Sequence, residues 1–258
     1  MSSTSHPRTP RRVLTALVLL LPAVAQAQTP DVFTYNSGFS LGGAIPDGNL
    51  TGWSDSRTVS GLSYSSLSSI KVNLQISGGW AGDFYAYLSN GTGISVLMNR
   101  VGVTASDAFG YADSGLNLKF ADGASNGDIH LYQNVSGYAS LINSGAEFSP
   151  DARSASPLTV VDTDPRTQYL STFVGANPNA TWTLFIADVS SGSTGTLTSW
   201  GLEFVGSSPA PVPETAAPFW LVGVAAAGSL WQRRRRPSPN LGIRLDTSAG
   251  GSEGKAAS

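Results

Sequence analysis

The stretch from Thr181 to Phe204, TWTLFIADVSSGSTGTLTSWGLEF, constrains the fold more than any other. From Trp182, the side chains Trp182, Leu184 and Ile186 fall on one face, while Thr183 and Ala187 fall on the other and Phe185 is an apolar exception. A second run repeats the period: Trp200, Leu202 and Phe204 alternate with Ser199, Gly201 and Glu203. Period-two alternation is the signature of a strand with one buried face. Gly192 and Gly195 lie between the runs among Ser and Thr residues, which supply the positive φ angles and local hydrogen bonds of a turn. The stretch predicts a two-stranded antiparallel unit whose two tryptophans share one core.

The same period recurs upstream. Ile70, Val72, Leu74 and Ile76 alternate with Lys71, Asn73 and Gln75, which predicts a half-buried strand. Phe84–Leu88 and Ile94–Met98 read as two strands joined by the glycine-containing loop Ser89–Gly93. Leu116–Phe120 alternates again, and Ile129–Tyr132 reads as a short strand that turns His130 away from Ile129 and Leu131 toward solvent. No helix-period pattern longer than about two turns occurs between Gln28 and Gly206. Many short strands separated by glycine turns predict an all-β sandwich.

Composition narrows the chemistry. The chain has no cysteine, which removes disulfides, zinc-thiolate sites and thiol nucleophiles. Between Gln28 and Thr215 six basic residues face fifteen acidic ones, a net charge near −9, so no nucleic-acid-binding surface is expected. The remaining cations cluster near the termini. Arg8, Arg11 and Arg12 precede the apolar run Val13–Ala25, and Ala25-Gln26-Ala27 follows, so residues 1–27 form a secretory signal peptide with cleavage expected after Ala27. The mature sandwich is expected over residues 28–206, followed by a Pro/Ser/Ala linker over 207–215. The mostly apolar run Ala216–Trp231 and the cluster Arg233, Arg234, Arg235 and Arg236 make a hydrophobic helix segment over 216–236, with the arginines on the cytoplasmic side. A polar tail, expected to be disordered, covers 237–258.

Two resemblances rest on these residues. Asn179-Ala180-Thr181-Trp182-Thr183-Leu184, then Ala187-Asp188, then Gly195-Thr196-Leu197-Thr198-Ser199-Trp200-Gly201-Leu202, resemble the closing half of the P domain found behind the catalytic domain of subtilisin-like proprotein convertases. Ile45-Pro46-Asp47-Gly48, Trp80-Ala81-Gly82-Asp83-Phe84 and Asn90-Gly91-Thr92 match further P-domain motifs in the expected order, and Ser193 stands where many members have Asp. The resemblance implies a jelly-roll β-sandwich. Asp47, Asp83 and Asp188 fall at the three motif loops, where carboxylate oxygens suit calcium, a hard cation with six to eight ligands. Val212-Pro213-Glu214, the apolar run and the arginine cluster together resemble the PEP-CTERM sorting signal of exported Gram-negative bacterial proteins, with Thr215 where the usual motif has Pro. This implies processing by an exosortase-like enzyme and transit through the membrane on the C-terminal helix.

No catalytic constellation stands out. His130 is the one histidine after the signal peptide, and nothing marks two of the fifteen acids as a glycosidase pair. The protease domain that usually precedes a P domain is not in this sequence. The expectation is a non-catalytic exported protein of the cell surface or extracellular matrix. Two alternatives stay open: a carbohydrate-binding module for exopolysaccharide, using aromatics such as Trp53, Trp80, Tyr85 and Tyr87, and a hydrolase of unrecognised type with acids gathered around His130.

Overall fold

A computed structural model describes residues 28–207, and the signal-peptide, linker, hydrophobic-helix and tail segments expected from the sequence lie outside them. Ten strands follow in order: β1 (Asp31–Tyr35), β2 (Ala44–Ile45), β3 (Asn49–Thr58), β4 (Leu67–Trp80), β5 (Phe84–Ser89), β6 (Ile94–Asn99), β7 (Ser114–Phe120), β8 (Ala146–Phe148), β9 (Thr181–Asp188) and β10 (Gly195–Gly206). One α-helical turn, α1 (Tyr138–Leu141), and four short 3-10 segments sit in the connections. The fold of the described residues is all-β, in two sheets.

The larger sheet runs β1-β10-β4-β7-β8, with the short β2 also on β10, and the smaller runs β3-β9-β5-β6. All neighbours are antiparallel except β7 and β8. Four pairs nest along the chain: β5 with β6, β4 with β7, β3 with β9, and β1 with β10. The alternation read from the sequence supplies the two inner faces. Ile70, Val72, Leu74 and Ile76 of β4 and Trp200, Leu202 and Phe204 of β10 face Phe84, Ala86 and Leu88 of β5 and Trp182, Leu184 and Ile186 of β9 in one core. Full burial of each large side chain contributes roughly 1.5–3 kcal/mol.

The hairpin expected over 181–204 is not one. β9 belongs to the smaller sheet and β10 to the larger, and residues 189–194 carry the chain from one sheet to the other. Each strand finds partners distant in sequence: β9 lies between β3 and β5, and β10 lies mainly between β1 and β4. The shared core still follows, because Trp182 packs 5.0 Å from Phe204 across the two sheets. A bulge at Thr198 shifts the register of β10 against β4, which lets Leu197 and Trp200 both point inward despite their odd spacing. Gly52 makes a second irregularity in β3. Its φ is +49°, and a Cβ there would lie 2.2 Å from the Ile186 carbonyl oxygen, so no other residue fits this close approach.

The Ile129–Tyr132 strand is also corrected. Ile129–Asn134 is a 3-10 segment, capped by the Asp128 side chain on the His130 N–H, and His130 is fully buried rather than solvent-facing. The reason lies in the 149–168 segment, which runs along the free edge of β6 and brings Asp151 to the His130 ring. Val96, Leu97 and the residues after Asp151 exchange backbone hydrogen bonds: Asp151 N–H to Leu97, Ala152 N–H to Val96, and Val96 N–H to Gln168. The edge of the smaller sheet is thereby closed to edge-on pairing.

Candidate cation site and neighbouring cavity

Three sequence motifs meet at one end of the smaller sheet. Asp188 closes β9 and pairs with Asn49 at the start of β3 and with Phe84 at the start of β5. Asp83 immediately precedes Phe84 in the 3-10 turn Ala81–Asp83, and its carbonyl accepts from the Val189 N–H at 2.7 Å. Asp83 and Asp188 are therefore neighbours, both buried, at 3 % and 0 % exposure. Asp47 stands at the exposed rim, where its carboxylate accepts from the Gly192 N–H at 3.0 Å.

The buried pair is incompletely satisfied. Asp188 accepts from the Ser190 N–H at 3.3 Å, but Oδ2 of Asp83 and Oδ2 of Asp188 are buried with no hydrogen-bond donor among the described residues. Burial, followed by the charges of Asp83 and Asp47, pushes the Asp188 pKa up to about 7. Burial also raises Asp83, against a Ser190 hydrogen bond and the Arg100 charge, which lower it, and with Asp47 adding to the rise. Two buried carboxylates beside one another repel when both ionise, so a shared proton or a bound cation relieves them. Among the described residues no group of three or more His, Cys, Asp or Glu side chains gathers as a metal cage. A cation here would take two carboxylates and draw its other oxygens from hydroxyls, backbone carbonyls or water.

Next to the pair opens a cavity of about 560 Å³, lined by Asp83, Ser190 and Ser191 together with Trp80, Phe109 and Tyr111. Phe109 and Trp80 are 79 % and 41 % exposed, unusual for aromatics of this size. Trp53, grouped with Trp80 from the sequence, is instead buried, with its indole N–H donating to the Ala44 carbonyl at 2.9 Å. Tyr85 and Tyr87 stand half-buried on the outer face of the smaller sheet, where Tyr87 stacks on Phe185 at 4.8 Å. Phe185, the apolar exception to the β9 alternation, completes that outer aromatic trio. Phe109 is the functional candidate that the sequence reading missed. It belongs to no periodic run, and a bulky aromatic inside the turn Asp107–Gly110 is the one signal that marks it.

His130 does not gather a catalytic group. Its Nδ1 lies 2.7 Å from Asp151 Oδ2 and its Nε2 lies 2.9 Å from the Val103 carbonyl oxygen, so both ring nitrogens face acceptors and the imidazolium satisfies both. Burial pulls its pKa down, but the Asp151 hydrogen bond and charge and the Val103 bond outweigh it, with Arg153 opposing, and hold the pKa above the ordinary value. Asp151 and Asp128 also bind Arg153 at 3.1 and 2.9 Å, and Arg166 donates to the carbonyls of Asp151 and Pro150. This network fastens the 149–168 segment onto residues 128–130. With no exposure and both nitrogens occupied, His130 has no access to a substrate.

No family model matches the chain, and no curated protein matches it. Among solved structures it is similar to the serine protease of Aeromonas sobria, alone at a TM-score of 0.37 and in complex with its chaperone at 0.36. Both share 15 % sequence identity over 69 % of this chain. The chain covers 26 % and 27 % of those two chains, so it spans about a quarter of their length.

Proposed function

We propose that this chain is an exported, non-catalytic protein of the cell surface or extracellular matrix, built on a P-domain-like jelly roll that a calcium ion stabilises. The observation that carries the reading is the pair Asp83 and Asp188, each with a buried carboxylate oxygen lacking a donor, at the meeting point of three P-domain-like motifs. The donor set fits calcium: both side chains offer hard oxygens, and Ser190 adds a hydroxyl beside Asp83. Asp47 contributes negative charge from the rim. The ion would supply charge neutralisation and cross-linking of the loops, and no reaction is assigned to it. The nested strand pairs, with order β1-β10-β4-β7 in one sheet and β3-β9-β5-β6 in the other, support the jelly-roll reading.

Export rests on the signal sequence ending at Ala27, and sorting on Val212-Pro213-Glu214, the apolar run and Arg233–Arg236. The protein is held in the membrane in transit, cut near Glu214 by an exosortase-like enzyme, and released to the surface. Mass spectrometry of the surface-associated form tests this: peptides ending before Ala216 are expected. Recovery of peptides from Arg244 to Lys255 on that form would replace sorting by permanent anchorage.

A further inference from the structure

We infer that the cavity beside the aspartate pair is a glycan subsite that takes one pyranose unit of a polysaccharide, stacked on Trp80 and Phe109. A sugar ring has an apolar C–H face and a rim of hydroxyl donors, and the cavity presents the matching halves. Trp80 and Phe109 offer exposed aromatic surface, and Ser190 and Ser191 offer hydroxyls within the same lining. Its volume, about 560 Å³, lies in the range of small-ligand sites.

The walls are held in place before any ligand arrives. The turn carrying Phe109 is closed by Asp107, whose side chain accepts from the Phe109 and Gly110 N–H groups at 3.0 and 3.2 Å. The turn is then fastened to the sandwich by Arg100, which donates to the Ala108 carbonyl at 3.0 Å, and by Gly82 N–H to the Tyr111 carbonyl at 2.8 Å. Gly192 lies against the indole of Trp80 so closely that a Cβ there would sit 3.1 Å from the ring. An exposed aromatic on a tethered loop loses little conformational freedom on binding, so its stacking is realised as affinity.

The lining selects among occupants. Asp83 lines the cavity, with Asp188 and Asp47 beside it, which disfavours phosphate and other anions. The lining comes from loops and strand ends rather than from an open strand edge, so a peptide finds no backbone ladder to extend. A neutral or amine-bearing sugar meets both requirements. The inference draws on the proposed export only for where the ligand is met.

The full-length chain, in zwitterionic detergent micelles, is titrated with hexasaccharides of glucose, mannose, galactose and N-acetylglucosamine by calorimetry and by tryptophan emission, with calcium or with EDTA. At least one series is expected to bind and to shift the emission. Trp80→Ala and Phe109→Ala should each weaken that binding about tenfold or more. Tyr87→Ala, on the outer sheet face, should leave it unchanged. The inference is overturned if no series binds at millimolar concentration, if binding is indifferent to both cavity variants, or if Tyr87→Ala removes it. Trp80-dependent capture of lysine-bearing tetrapeptides with no sugar binding would overturn it in favour of a peptide site. Melting of the same samples with and without calcium reports on the cation site separately, so either reading can fail alone.

Discussion

The indole N–H of Trp200 donates to Asp55 Oδ2 at 2.7 Å, a hydrogen bond that joins the larger sheet to the smaller one through the core. Trp200 lies on β10 and Asp55 on β3, and 145 residues separate them. The same carboxylate oxygen receives Arg57 Nε at 2.7 Å, so the buried acid is held by a donor from each side. A tryptophan in a dry core needs a partner for its one donor, and this fold supplies it from the opposite sheet.

Asp55→Ala should therefore lower stability by about 1–3 kcal/mol, since it leaves a buried N–H unsatisfied. Asp55→Asn, which keeps a side-chain oxygen acceptor, should lose less. Urea unfolding of the two variants checks the order. Equal losses would show that the acceptor is not what Trp200 requires.

Calcium should raise the melting temperature. A ligand bound only by the folded state adds about 2.7 kcal/mol at a hundredfold excess over Kd. Asp188→Asn should abolish that gain, while Asp47→Asn should reduce it less, because Asp47 sits at the rim. Coincident melts in calcium and EDTA would rule the site out.

The metal-free protein should lose stability as pH rises from about 4 to about 7. Asp188 ionises near 3.8 when unfolded and is pushed up to about 7 when folded, so the folded state holds more protons in that window and stability falls with pH across it. Above the window the contribution is level. Asp188→Asn should flatten this part of the curve and stabilise the metal-free protein at pH 8. Calcium affinity should tighten over the same interval, because binding displaces the proton. A wild-type melting curve that is flat from pH 4 to 7 in EDTA contradicts the prediction.

His130 adds a second window. Its folded pKa lies above 6.5, so its contribution is complete below pH 6.5 and is lost as pH rises through the folded value. The charged groups packed around it are Asp151, which its ring touches, and Asp128, Arg153 and Arg166, which are ion-paired with one another or with Asp151. His130→Ala should cost about 3 kcal/mol at pH 6, as expected for removing one partner of a buried ion pair. It should also remove the pH slope above 6.5. Titration of the ring by NMR in the fragment Gln28–Gly206, where His130 is the one histidine, measures the pKa directly.

The fragment Gln28–Gly206 should fold alone, since one cluster of buried side chains unites both sheets and no cysteine must be oxidised. A cooperative melt monitored by circular dichroism is the expected result, and a disordered spectrum would refute autonomy.

How much of this was legible in the chain varies by element. The inner faces of β4, β5, β7 and β9 follow from alternation, because a side chain on a strand points to one face or the other whatever its partner. Asp83 and Asp188 were singled out by their motifs, and the fold brings them together at the starts and ends of paired strands. Trp53 and His130 were misjudged. A tryptophan at an alternating position gives no sign of what lies over it, and the cover on His130 comes from a segment about 20 residues downstream in the 149–168 loop.

What the sequence determined by itself was therefore the inner faces of its alternating strands, together with the acidic, cysteine-free character of residues 28–206, all of them properties of neighbouring residues. Tertiary structure decided the rest. Thr181–Phe204 contains two strands and a glycine turn, the makings of a hairpin, yet its strands separate into different sheets. Local geometry permits either outcome. The choice belongs to β3, β5, β1 and β4, whose edges bind β9 and β10 more extensively than the two could bind one another, and whose side chains close the core over both tryptophans.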